Sequence, residues 1–209
     1  MKFPRVTLVG CLVLGAAAAQ AADSVELTIT GEIVPAACVP TLSTANLDFG
    51  KIPVESLKKT TTTNLSGKLV TLILSCDGPA KVAFQTIDNR SGTAITGGTG
   101  VYGLDEASGK IKIGEYAILW TSVTGDGADR YLHGSVDKGS NWTSLSGGAE
   151  ITTSSIYGIA DTESATEPGA YSAQTFEFQV VVTIAPADSL PITSDITLDG
   201  SVTFEVVYL

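Results

Sequence analysis

One histidine, one methionine and three cysteines are all that this 209-residue chain offers of the side chains most often found on metals or activated as nucleophiles. A zinc cluster or a Ser-His-Asp triad would rest entirely on His133, which is expected in a surface loop. No two cysteines stand in C-x-x-C spacing, so a redox or metal pair of that kind is excluded. Basic charge is scarce as well: 12 Lys and Arg stand against 22 Asp and Glu, a net charge of −10. Such a surface repels phosphate backbones and anionic lipid, and nucleic acid is not an expected partner. Gly98, Gly100 and Gly103 fit G-x-G-x-x-G, but they neither follow a clear strand nor open a helix, and a loop is the expected structure. Asp126 and Asp129 lack the alternating oxygen ligands of a calcium loop. Carboxylate pairs such as Asp105 with Glu106 or Asp161 with Glu163 read as solvated loop acids. No enzyme activity, metal or cofactor is expected.

Residues 1–21 read as a secretory leader, with a basic head at Lys2 and Arg5, an apolar run over 6–19 and an Ala19-Gln20-Ala21 cleavage signal. Leu8-Val9-Gly10-Cys11 has the form of a lipidation site, but cutting there would leave the greasy run 12–19 on the product. Loss of the leader removes two bases and no acid, taking the charge to −12. It also removes Cys11. Cys38 and Cys76 remain, an even pair in an oxidising compartment, and a disulfide between them is expected.

Helical periodicity is absent almost everywhere. Short alternating or β-branched runs instead cover residues 25–33, 45–49, 68–76, 81–88, 110–113, 116–123, 151–160, 173–184 and 201–208. Turn signals rich in Gly, Pro, Asn and Asp separate them, notably at 64–67, 77–79, 97–100 and 125–127. Recurrent strands without helices predict an all-β sandwich of antiparallel sheets in one domain. Two runs stand out. In the first, Val25, Leu27 and Ile29 alternate with Glu26, Thr28 and Thr30 ahead of Gly31, so one face of the strand is apolar. In the last, Val202, Phe204, Val206 and Tyr208 alternate in the same way before Leu209.

GEIVPAAC at 31–38, LDFG at 47–50, the cysteine closing strand 69–76 and the terminal strand with Tyr208 together resemble chaperone-usher pilins. LSCDGPAKVAFQTIDNRSGT at 74–93, GKIKIGEY at 109–116 and LDGSVTFEVVYL at 198–209 resemble an uncharacterised fimbrial-like family of Gram-negative bacteria. The resemblance covers nearly the whole chain after the leader. It implies an immunoglobulin-like sandwich (34–209) that lacks its last strand, preceded by a donor extension (22–33). It also implies three kinds of partner: a periplasmic chaperone, an outer-membrane usher and neighbouring pilin subunits. Export through the periplasm to a surface fimbrium follows from the same likeness. Carried over, Val25, Leu27 and Ile29 are the donor side chains and Gly31 the hinge. Val202, Phe204, Val206 and Tyr208 line the acceptor groove, and the Leu209 carboxylate meets the chaperone. The extension is short for a shaft subunit, and 92–168 is long for a minimal pilin. A second expectation is a self-contained secreted sandwich that binds a host glycan or surface, with Trp142 as the exposed aromatic contact.

Overall fold

The computed structural model describes residues 27–30 and 37–209. The leader, Val25 and Gly31 lie outside the described residues. Residues 27–30 belong to a unit, 1–34, distinct from the body that begins at Pro35. They carry no strand, and Leu27 and Ile29 are 85% and 88% exposed. The strand expected over 25–33 is thus not formed at the positions described, because an extended segment without a neighbouring ladder leaves its amides and carbonyls to water.

In chain order the strands of the body are β1 (Cys38–Leu42), β2 (Thr63–Asn64), β3 (Lys68–Ala80), β4 (Val82–Asp88), β5 (Tyr102–Gly103), β6 (Glu106–Ala107), β7 (Ile111–Lys112), β8 (Gly114–Gly125), β9 (Ala128–Asp129), β10 (Tyr131–Ser135), β11 (Thr143–Ser144), β12 (Ile156–Ala160), β13 (Tyr171–Ile184) and β14 (Val202–Tyr208). One antiparallel sheet has the order β1-β3-β13-β8-β5, with β2 on β13 and β9 on β8. The other has the order β11-β10-β12-β4-β14, and β6 with β7 makes a separate hairpin. Neither large sheet closes on itself. They form the expected all-β sandwich.

Side-chain alternation decides which faces meet. On β13, Phe176, Phe178, Val180, Val182 and Ile184 are buried in register with the period of two. They meet Phe84 of β4, whose ring centroid lies 4.9 Å from Phe176 and 5.7 Å from Phe178. Tyr157 of β12 stacks on the other side of this cluster, 5.3 Å from Phe84. Edge-to-face and stacked rings at these separations are favourable beyond their area.

Several local expectations change. The turn signal Asp77-Gly78-Pro79 lies inside β3, because Ser75 pairs with Ala173 and Ala80 with Tyr171, so 76–79 bulge away from β13. Proline's missing N–H costs no pairing at such a bulge. Lys81 alone then separates β3 in one sheet from β4 in the other. Residues 45–49 form no strand, although Leu47 and Phe49 pack against the core. His133 is not in a surface loop. It is fully buried on β10, opposite Gly158, which leaves its ring room. Its Nε2 lies 3.2 Å from the Glu163 carbonyl oxygen and its Nδ1 3.3 Å from that of Tyr131.

Gln174 is fully buried on β13, and neither polar atom of its side chain has a partner among the described residues. An unpaired buried amide costs about 1 to 3 kcal/mol. Gln174→Met, which keeps the length and removes the polar atoms, is therefore expected to stabilise the fold by about that much. Urea unfolding of the two proteins checks it, and an unchanged or lower midpoint contradicts it.

Candidate functional site

The site is an edge. In an antiparallel pair, alternate residues turn their N–H and C=O groups toward the partner and the rest turn theirs away. β14 is bonded to β4 through its odd-numbered positions: the Asn89 amide donates to the Ser201 carbonyl and the Leu209 amide to that of Lys81. Val202, Phe204, Val206 and Tyr208 therefore aim their main-chain groups at the outer edge. β14 is the last strand of its sheet. Among the described residues, nothing pairs with that edge.

The same even-numbered positions carry the apolar side chains. Val202, Phe204 and Val206 are half-buried against the core, and Phe204 lies 5.7 Å from Phe178 and 5.8 Å from Phe84. Tyr208 is 54% exposed. On the face toward solvent, polar side chains tie β14 to β4. The Gln85 amide donates to Glu205 at 2.6 Å, and Asn89 donates to the hydroxyls of Ser201 and Thr203 at 3.0 Å each. Arg90 pairs with Asp199 just ahead of the strand. The result is a strand pinned on one side and open on the other.

β1 lies near β14 at the corresponding edge of the facing sheet. Its Cys38 amide donates to the Tyr208 hydroxyl at 2.8 Å. Cys38 and Cys76 sit directly opposite each other on β1 and β3 and are joined by the expected disulfide. They occupy a position without ladder bonds, where paired strands approach most closely. Val39 and Leu42 of β1 are 60% and 40% exposed.

Residues 27–108 match a family model described as a protein of unknown function (DUF1120). That stretch holds Leu27, Ile29 and both disulfide cysteines. Protein GltF of Escherichia coli (strain K12) is 29% identical over an alignment of 248 residues, which spans 95% of each chain. Neither name specifies an activity.

Trp142 lies on the loop before β11, near the C-terminal end of β14. It is half-buried, and its ring N–H donates to the Gly139 carbonyl at 3.0 Å. The loop is fixed by Asp137, which takes hydrogen bonds from the Asn141 side chain and the Ser135 hydroxyl. These hold its carboxyl at about 2. Trp142 borders a cleft of about 610 Å³ together with Lys81, Lys138, Glu167 and Tyr208. With its one polar handle taken, it offers that cleft a ring surface only. Among the described residues, no group of three or more His, Cys, Asp or Glu could hold a metal.

Sequence reasoning singled out the residues of β14 but not the partner across from them. Pro40 and the β1 strand around it escaped notice because proline disfavours a strand reading.

Proposed function

We propose that this chain is a structural subunit of a chaperone-usher fimbria, assembled by donor-strand exchange on the bacterial surface. The observation that carries the reading is the outer edge of β14, where Val202, Phe204, Val206 and Tyr208 turn main-chain groups outward and the first three also pack apolar side chains against the core. An edge of that kind is a template for an added strand and an aggregation hazard when left empty. Its occupant in the fibre is the leading segment of a second copy or of a neighbouring subunit, around Val25, Leu27 and Ile29. In support, Leu27 and Ile29 are almost fully exposed and unpaired in a segment whose alternation matches that of β14. Burial of each such side chain is worth about 1.5 to 3 kcal/mol. Before assembly, a periplasmic chaperone would cover the edge and an outer-membrane usher would receive the subunit.

A synthetic peptide of residues 23–33 tests the reading. Protein freed of chaperone is expected to take up the labelled peptide and retain it through gel filtration, as strand addition makes a long-lived main-chain ladder. A body that ignores the peptide and stays monomeric would count against strand exchange.

A further inference from the structure

The open flank has two strands near it, yet only one of them can take a partner. β1 is bonded to β3 through its odd-numbered positions: the Asp77 amide donates to the Ala37 carbonyl and the Ser43 amide to that of Thr71. The main-chain groups of residues 38, 40 and 42 consequently point outward. The first of these donors, the Cys38 amide, is already taken by the Tyr208 hydroxyl. At the second position stands Pro40, which has no N–H. Leu42 alone keeps a donor. Along β14, in contrast, Val202, Phe204, Val206 and Tyr208 supply four consecutive outward N–H groups, none of them from proline.

Resting on the strand-exchange reading, we infer that recognition is one-edged. The leading segment of a second copy pairs with β14, while Pro40 and the Tyr208–Cys38 contact close β1 against strands. Pro40 is then a specificity-determining residue that acts by refusing a partner. Proteins commonly blunt a free edge with proline in this way. The blunting has a use at this flank, since a strand seated on β1 would join the wrong sheet and leave the apolar side of β14 open. The Tyr208 hydroxyl supplements it by standing where a carbonyl of an added strand would be.

Amide hydrogen exchange of the full chain, with and without the 23–33 peptide, tests the inference. Binding is expected to slow exchange at Val202, Phe204, Val206 and Tyr208 by about tenfold or more, a factor equivalent to about 1.4 kcal/mol each. Leu42 should be unchanged. Slowing at Leu42 equal to that on β14 would overturn one-edged pairing while leaving strand exchange standing. A peptide that is never retained would remove both. A Pro40→Val variant adds an independent reading: with a donor and a β-branched side chain restored, β1 should recruit strands and the protein should self-associate in light scattering. A monodisperse Pro40→Val protein that folds normally would strip Pro40 of the role.

Discussion

If the chain assembles by the proposed strand exchange, Ile29→Asp is expected to abolish its incorporation into a fibre while leaving the isolated protein as stable as before. Ile29 is 88% exposed, so an aspartate there forfeits little burial, and the unfolding midpoint should not move. Seated against a neighbour's β14, the same side chain would lie among residues equivalent to Val202, Phe204 and Val206. The apolar burial lost is about 1.5 to 3 kcal/mol. To this is added the desolvation of an unpaired carboxylate, several kcal/mol in real proteins. Together these remove most of what a short donor strand contributes. On the proposed reading a chaperone would use β14 of the variant itself, so its binding should survive. Co-purification with chaperone and electron microscopy of assembled fibres give the two readouts, and normal polymerisation by Ile29→Asp would defeat the donor role.

The second large effect concerns the disulfide. Replacing Cys38 and Cys76 with alanine opens a loop with a sequence separation of 38 residues. In the chain-entropy account, closing such a loop contributes about 4 kcal/mol. That is a large share of the ~5 to 15 kcal/mol by which a typical domain is stable. The location sharpens the expectation. Among the described residues β1 is paired only with β3, and five residues of ladder hold it there. Without the cross-link, β1 should detach before the rest of the sandwich and take its contact with Tyr208 along. Urea unfolding should show an unfolding free energy lowered by about that amount and a correspondingly lower midpoint, with the amides of residues 38 and 39 exchanging early. A double variant with an unchanged midpoint would mean that the ladder suffices alone.

Much of this architecture is legible in residue order. β3, β8, β13 and β14 each show runs of β-branched and aromatic side chains long enough to rise above their surroundings, and Val202 to Tyr208 alternates so strictly that its inward face is plain. Strands with mixed signals were hidden. β1 contains Pro40, and β10 contains His133, expected in a loop, followed by Gly134; only pairing with β12 makes a strand of them. Residues 45–49 alternate well but find no partner, so pattern without a neighbour did not make a strand. For the site, side-chain facing could be read from spacing. Which main-chain groups point outward could not, because that depends on the register with β4 and β3, settled by residues far away in the chain.

That remoteness has a kinetic side. The side-chain bond from Gln85 to Glu205 joins positions 120 apart, and β14 follows every other strand of the body. As the chain leaves a ribosome or a translocon, β4 must wait with its flank bare until nearly all of the remaining polypeptide has emerged. Long-range pairing of this type is slow, and unpaired flanks of waiting intermediates collide with one another. The nascent molecule is therefore at its most vulnerable well before any question of assembly arises, and a companion that shelters sheet margins would serve it from the first seconds of its existence.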